Sequence, residues 1–291
     1  MNTRYMQLDV FPARRGGGNP VGVVLDAGAW SEADMQAFAA WTQLVETTFV
    51  LPATTPAADY RLRIFTPQRE IAFAGHPTIG SAHAVLEAGF AGVHDGRLVQ
   101  ECQAGLLPIL VEGDGAQRRL FVRAPQARLL REGADAGLSR LLEGIAPGVL
   151  PPAFLEGGRR WWVAEFASEA QLRAWRPDHA AIAALARDSE SLGLCAFARA
   201  AGGESELVVR AFPAGVGIVE DPASGAANGL IAAWIAMREP SGPLARGYRV
   251  SQGREMGKDA EIVVRIDADE IWVGGTAQLI VDGAVAWCGG N

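Results

Sequence analysis

The sequence contains few cysteines and no pair of them at a metal-binding spacing. Its three cysteines, Cys102, Cys195 and Cys288, are far apart along the chain. Neither a disulfide framework nor a Cys-x-x-Cys metal site is therefore indicated, and an odd, sparse count is typical of a reducing compartment. Residues Met1–Val10 also lack the apolar segment of a signal peptide. We therefore expect a cytoplasmic protein with no bound metal.

Two further absences restrict the partners. No basic stripe is present, and the formal net charge is −7 with a pI near 5.2, so nucleic acid is not expected to bind. No apolar run reaches the ~18 residues that a membrane span requires. The 291 residues, 49% of them hydrophobic, are enough for two domains that each bury a core. These properties predict a soluble two-domain protein without a membrane partner.

What the chain does contain is an internal repeat, with copies roughly 147 residues apart. The first copy consists of Tyr60–Phe65 followed by Ala74–Ala82, and the second of Leu207–Phe212 followed by Val219–Ala227. Each copy combines an alternating strand pattern with a turn and a run of small residues. Two copies of this length predict two similar lobes and not a solenoid.

The two copies differ where they carry ionisable groups. With a short gap in the second copy, Pro77 matches Pro222, and His76 then matches Asp221. Equivalent turns that carry different ionisable groups suggest an active site between two similar lobes. Such a site would be asymmetric, as the handling of a single proton requires.

The order of predicted elements is the same in both halves, which indicates an α+β fold with two pseudo-symmetric lobes. Small residues fill the predicted helices Thr78–Glu87 and Pro222–Met237, as expected for helices buried on several sides. We place the N-terminal lobe at residues 1–130 and the C-terminal lobe at 131–280. Segment 281–291 is expected to return to the N-terminal lobe.

Two local signals complete the expected organisation. Ser31 followed by Asp34 predicts a helix N-terminus with a capping box. The proline- and glycine-rich stretch Ala146–Gly158 is the clearest break in periodicity, although the lobe boundary is placed before it.

Both repeat turns are predicted to begin a buried helix. The first N–H groups of a helix have no partner within it, and the helix dipole is positive there. Two such N-termini would hold a carboxylate without any lysine or arginine. Gly75, Gly80 and Gly225 would let a ligand approach the backbone. The alternative is that these are tight strand-to-helix turns with no ligand.

His76 and Asp221 each have a functional and a structural interpretation. His76 is a candidate general acid or base or a substrate ligand, and it is also a candidate helix cap. Asp221 comes directly before Pro222, so it is a natural N-cap if the helix begins at that proline.

Glu46 breaks the symmetry of the repeat, because its partner in the second copy is Gly193. A lobe that tolerates glycine there does not need a carboxylate, so Glu46 is a candidate for chemistry. Burial in an apolar cleft would raise the pKa of a glutamate that must take and return a proton. The structural alternative is that Glu46 is a buried partner of Arg63 or of backbone amides.

Six motifs, in order over essentially the whole chain, closely resemble those of the phenazine-biosynthesis isomerase-like (PhzF) family. They are Gly18-Asn-Pro20, Glu46-Thr-Thr-Phe49, Arg63-Ile-Phe-Thr-Pro67, Gly75-His-Pro-Thr78, Glu220-Asp-Pro-Ala-Ser-Gly225, and Ser251-Gln-Gly253 with Met256-Gly257. The resemblance implies the diaminopimelate-epimerase-like fold. In that fold each lobe is a mostly antiparallel sheet wrapped around a central helix, and a cofactor-free site lies between the lobes.

The resemblance also implies roles for individual residues. A glutamate of the first lobe shuttles a proton in this family during isomerisation of trans-2,3-dihydro-3-hydroxyanthranilate, which implies that role for Glu46. His76 and Asp221 would bind and orient the substrate, with Asn19, Gly75 and Gly225 at the substrate as well. One position departs from the pattern, because Ala226 stands where the family usually has a serine. A substrate contact is then missing, and the phenazine precursor is in doubt as the substrate.

The expected function is therefore a cofactor-independent isomerase of a small carboxylate-bearing metabolite, with proton shuttling by Glu46 in the inter-lobe cleft. A catalytically inactive small-molecule-binding protein on the same fold is the alternative. A racemase or epimerase that uses two cysteines is less favoured, because the repeat turns carry none and Cys195 aligns within a strand. A homodimer is one assembly that we consider.

Overall fold

The computed structural model describes residues 2–287, which divide into two compact units. One unit holds the described residues up to Arg123 and again from Gly274 onward, and the other runs from Ala124 to Val273. These boundaries fall a few residues before the expected 130 and 280. Cys288 and the rest of the expected segment beyond residue 287 lie outside the described residues. Within residues 2–287, no helix is long and apolar enough to cross a membrane.

Short strands dominate both units. The strands are β1 (Thr3–Val10), β2 (Asn19–Val24), β3 (Thr47–Leu51), β4 (Tyr60–Phe65), β5 (Glu70–Ile71), β6 (Arg97–Cys102), β7 (Gly105–Glu112), β8 (Arg119–Arg123), β9 (Arg128–Glu132), β10 (Ala153–Gly157), β11 (Arg159–Phe166), β12 (Leu194–Arg199), β13 (Leu207–Phe212), β14 (Gly247–Gln252), β15 (Ala260–Asp267), β16 (Glu270–Gly275) and β17 (Ala277–Val285). The helices are α1 (Glu32–Thr42), α2 (Gly75–Glu87), α3 (Ala136–Leu141), α4 (Glu169–Ala174), α5 (His179–Asp188) and α6 (Gly225–Arg238).

In the first unit a mixed sheet wraps around helix α2. Strand β1 pairs antiparallel with β17 and β2, and β3 and β4 continue from the parallel β2–β3 pair. Strands β6, β7 and β8 extend the sheet from a short parallel β4–β6 pair. Helix α2 contacts the strands β17, β1, β2, β3, β4 and β8. Gly80 shows how close the packing is, because a Cβ there would lie 2.4 Å from Val21 Cγ1.

The second unit repeats the arrangement around α6. Strands β9, β10 and β11 are antiparallel, β11–β12 and β13–β14 are parallel, and β12–β13 and β14–β15 are antiparallel. Helix α6 contacts β10, β11, β12 and β15. The prediction of two pseudo-symmetric α+β lobes, each a sheet around a central helix, is therefore confirmed.

The repeated arginines have the same structural role in both units. Arg63 on β4 donates from Nε and Nη2 to the two carboxylate oxygens of Glu70, at 2.7 and 2.6 Å. Arg210 on β13 donates in the same way to Glu220, at 2.9 Å for both bonds. The Arg210–Glu220 pair is almost completely buried, so removing one partner would leave an uncompensated charge.

The structure confirms one of the predicted local features and differs from the sequence-based expectation in others. The capping box is confirmed, since Ser31 and Asp34 exchange hydrogen bonds at the start of α1. The expected break at Ala146–Gly158 contains strand β10, which pairs with the unexpected β9. Thr276 separates strands β16 and β17, and its carbonyl accepts a hydrogen bond from the Phe11 backbone N–H at 2.8 Å.

Candidate functional site

Glu46 lies between α1 and β3, where the chain turns from helix into sheet. Helix α1 ends at Thr42, its C-cap Gln43 lies in the left-handed region, and Thr47 begins β3 one residue after the glutamate. A hydrogen bond of 2.9 Å between the Thr42 and Thr47 hydroxyls closes this turn. Glu46 is only 8% exposed, and its Oε2 lies 3.4 Å from Nε2 of His76. The first unit thus brings two of the predicted residues together.

His76 is the second residue of α2 and does not cap the helix. The N-cap position is Ala74, which makes no side-chain capping bond. The His76 Nδ1 lies 3.4 Å from the amide nitrogen of Asn19, so the ring is held between Asn19 and Glu46. Burial lowers the pKa of His76 to about 3, and a hydrogen bond to the backbone of Pro20 offsets only part of this effect. The imidazole is therefore neutral near pH 7.

Asn19 owes its position to the turn before β2. It is buried and pairs with Val10 across the β1–β2 ladder. Gly18 is required there, because a Cβ would lie 2.2 Å from the Val10 carbonyl oxygen and 2.7 Å from Oδ1 of Asp9. Asp9 is a second buried carboxylate near this turn. Residue types alone did not indicate Asp9 as a site residue, because a charged side chain is rarely fully buried.

Asp221 does not cap α6, which corrects the structural interpretation of this residue. The helix begins at Gly225 and not at Pro222, and Ser224 is its N-cap, accepting a hydrogen bond from the Ala227 N–H. Asp221 lies three residues earlier, and its Oδ1 accepts a 3.2 Å bond from the Ala223 N–H. Because Pro222 follows, the backbone at Asp221 favours an extended conformation over a helical one.

The pKa of the Asp221 carboxyl is raised above its usual value. Burial is the largest cause, hydrogen bonds from Ala223 and Ser224 act in the opposite direction, and the neighbouring Glu220 charge adds a small increase. The side chain keeps some solvent exposure. A carboxyl with a raised pKa is a suitable group for proton exchange near neutral pH.

Gln252 fixes the turn that carries Asp221, a role that the sequence did not reveal. Its Nε2 donates to the Asp221 carbonyl at 2.8 Å. Its Oε1 accepts from the Ser224 N–H at 3.3 Å and from the Asn228 amide at 3.0 Å. Gln252 belongs to the Ser251-Gln-Gly253 motif, so the motif itself was the available signal. The structure supplies its physical meaning, which is a clamp on the turn before α6.

The remaining predicted residues lie at the two helix starts. Gly75 is the first residue of α2, and Gly225 is the first residue of α6. Ala226 is exposed at the second position of α6. The first unit thus carries Glu46, His76, Asn19 and Gly75, and the second unit carries Asp221, Gly225 and Ala226. A common site formed by both sets stays a prediction.

The comparison of Glu46 with Gly193 needs a correction. Gly193 has a φ of 141°, and a Cβ there would lie 2.0 Å from the Phe212 carbonyl oxygen. Glycine is therefore demanded by the backbone at this position, and the two units differ in conformation here. Glu46 has no positive φ, and Arg63, its suggested structural partner, instead binds Glu70 and Glu32.

The two described cysteines do not form a two-base pair. Cys195 is fully buried in β12, where burial raises the pKa of its thiol well above the usual value. A thiol of this kind is a weak base and nucleophile. Among residues 2–287, no cluster of three or more His, Cys, Asp or Glu side chains could hold a metal ion.

Comparison with known proteins places this fold in one family. The sequence profile of the family described as phenazine biosynthesis-like protein matches residues 8–283. An uncharacterized isomerase of Mesorhizobium japonicum is 34% identical, covering 97% of this chain and 99% of the relative. The trans-2,3-dihydro-3-hydroxyanthranilate isomerase of Pseudomonas aeruginosa is 32% identical, covering 91% of this chain and 90% of the relative.

A solved structure gives the same result for the fold. The Bacillus anthracis phenazine biosynthesis protein of the PhzF family superposes with a TM-score of 0.84 at 25% identity, covering 98% of this chain and 99% of that one. The chain thus has the α+β fold of the PhzF-family structures, with two similar lobes. It belongs to the phenazine biosynthesis-like protein family and is an enzyme of the isomerase class.

Proposed function

We propose that the protein is a cofactor-independent isomerase of a small carboxylate-bearing metabolite, with Glu46 as the proton shuttle. The observation that carries the proposal is the buried contact between Glu46 and His76 at 3.4 Å. A neutral imidazole can donate to a carboxylate or accept from a carboxylic acid. The neutral ring can therefore stay in contact with Glu46 both as a carboxylate and after the carboxylate has taken a proton.

The proposed reaction moves one proton between two carbons. The Glu46 carboxylate removes a proton from carbon, and the electron pair left behind is delocalised over the conjugated system of the substrate. Glu46 then returns the proton to a different carbon of that system, which regenerates the carboxylate and yields an isomer with the same atoms. His76 would position the Glu46 carboxylate, while Asp221 would hold the substrate and assist the transfer.

The carboxylate of the substrate would be bound by the starts of α2 and α6. Neither helix has an acidic residue in its own first turn, so no carboxylate of the helix itself competes for the positive end of the dipole. Gly75 and Gly225 leave the backbone N–H groups accessible to a ligand. This binding mode needs no basic side chain.

The substrate is expected to differ from that of the Pseudomonas aeruginosa relative. Ala226 is exposed at the start of α6 and cannot donate a hydrogen bond, whereas the resemblance implies a serine there. A site that lacks this hydroxyl would leave a polar group of the relative's substrate unsatisfied, which costs about 1–3 kcal/mol when buried. We therefore propose that the substrate is a carboxylate with no polar group that requires a hydrogen bond from a serine at this position.

Exchange of substrate protons with solvent tests the proposal. The purified protein would be incubated in D2O with a panel of small unsaturated and cyclic carboxylic acids, and deuterium incorporation followed by mass spectrometry. We expect one or more acids to exchange or isomerise with wild type and not with Glu46→Gln. Saturable binding without any exchange would instead support the alternative, a binding protein that has lost the chemistry.

A further inference from the structure

A cavity distant from Glu46 opens beside the C-terminal half of α2, within the first unit. Its volume is about 390 Å³, and its wall includes Arg14, Arg15, His83 and Glu87 together with part of β17. This volume lies within the range of small-ligand sites. His83 follows His76 by two helical turns, which is about 10 Å along the axis. The cavity is therefore separate from the Glu46–His76 pair.

His83 is a buried polar group that the proposed reaction does not use. It is 5% exposed, and among the described residues its Nδ1 has no hydrogen-bond partner. Burial lowers the pKa of His83 to about 4, with a smaller contribution from the Arg118 charge, so the ring is neutral near pH 7. A buried ring nitrogen without a partner is costly, and such groups usually meet a ligand or ordered water.

Arg118 shows a related deficit next to the same wall. Its side chain is 12% exposed, and its Nη1 lies 3.8 Å from Oε2 of Glu87. That separation allows a Coulombic attraction but is too long for a hydrogen bond. Among the described residues, Nη1 has no hydrogen-bond acceptor. His83 in the cavity wall and Arg118 beside Glu87 of that wall therefore each carry a nitrogen that an added acceptor oxygen could satisfy.

The charges around the cavity favour an anion. Arg14 and Arg15 line the cavity and are exposed in the segment after β1, and Arg118 Nη1 lies 3.8 Å from Oε2 of Glu87. Among the described residues, Glu87 is the one carboxylate in the cavity wall, which also holds the guanidinium groups of Arg14 and Arg15. Guanidinium groups match the geometry of carboxylate and phosphate oxygens.

We propose that this cavity is a binding site for a small oxyanion, which is a carboxylate- or phosphate-bearing molecule. His83 Nδ1 and Arg118 Nη1 donate to its oxygens, while Arg14 and Arg15 neutralise its charge at the mouth. The site is independent of the proposed isomerase reaction, since it uses none of the same side chains.

Imidazole NMR of the full chain tests this site residue by residue. The sequence has four histidines, so the ring signals of His83 and His76 can be assigned with His83→Gln and His76→Gln. Wild type would be titrated with sodium phosphate, sodium acetate or sodium chloride at constant ionic strength. We expect a saturable shift of the His83 signals with phosphate or acetate and not with chloride. Whichever of phosphate and acetate binds more tightly shows whether the site prefers a phosphate or a carboxylate ligand.

Two neighbouring arginines provide a matched control. Arg118→Gln should weaken binding at His83 at least tenfold, whereas Arg119→Gln, at an exposed position of β8, should leave it unchanged. Arg15→Gln provides a second test if Arg118→Gln fails to fold by circular dichroism. An unshifted His83, a response equal to that of chloride, or equal affinities in the arginine variants and the control would overturn the proposal. Shifts confined to His76 would place the anion at the other site and would also overturn it.

Discussion

Gln252 holds Asp221 by its backbone, through a 2.8 Å hydrogen bond from Nε2 to the Asp221 carbonyl. The same amide accepts a hydrogen bond from the N–H of Ser224, the N-cap of α6. One side chain on β14 therefore fixes both the carboxylate-bearing residue and the start of the helix. In the proposed reaction Gln252 acts as a positioning residue, because it reaches the candidate catalytic group only through the backbone.

Substitution of Gln252 separates positioning from packing. Gln252→Glu keeps the acceptor oxygens for Ser224 and Asn228 but loses the N–H that binds Asp221. We expect it to reduce kcat with little change in KM, and to cost about 1–3 kcal/mol of stability through the unsatisfied carbonyl. Gln252→Leu should lose both functions and show a larger drop in melting temperature. A Gln252→Glu variant with unchanged kcat would show that the clamp has no influence on turnover.

The sequence predicted the elements that repeat but not the details that make the two units differ. Strand and helix positions around Arg63 and Arg210 followed from apolar periodicity, which depends only on local pattern. The start of α6 did not, because Pro222 mimics a first helical residue while Ser224, further along, actually caps the helix. The Gly193 comparison failed for a similar reason, since a close approach to the Phe212 carbonyl cannot be read from residue types. The contact of Glu46 with His76 depends on long-range packing that no spacing encodes.

The two buried histidines predict that stability declines below neutral pH. Their pKa values are lowered to about 3 for His76 and about 4 for His83, against 6.5 in the unfolded chain. The unfolded state therefore binds more protons, and stability is lost as pH falls through 6.5, levelling off only below the folded pKa values. Urea unfolding at pH 7 and pH 5 should show a loss on the order of 1–2 kcal/mol for each histidine.

Matched variants assign this pH effect. His76→Asn should flatten the change between pH 7 and pH 5, because asparagine does not titrate. His94→Asn should not, since the His94 side chain is 79% exposed. Equal pH slopes in wild type and His76→Asn would contradict the neutral state that we assign to His76.

The helix starts predict where an anion binds at the candidate site. Crystals grown in sulfate should show density near the backbone N–H groups of Gly75 and His76 or of Gly225, because no acidic side chain occupies either first turn. Ala226→Ser would add a hydroxyl at the start of α6 and should strengthen anion binding there. A sulfate-grown structure with neither helix start occupied would weigh against the carboxylate-binding mode.

Glu46 provides the decisive test of the proposed chemistry. Glu46→Gln keeps the size of the side chain and its place 3.4 Å from the neutral His76 ring, so we expect the melting temperature to stay close to that of wild type. Turnover should fall by about 10²–10⁴-fold, the usual contribution of one general acid–base group. Glu220→Gln is the matched control, because Glu220 is equally buried but binds Arg210 bidentately. Losing that partner should cost about 3–5 kcal/mol. A low melting temperature for Glu46→Gln with deuterium exchange intact would show that Glu46 is a structural carboxylate.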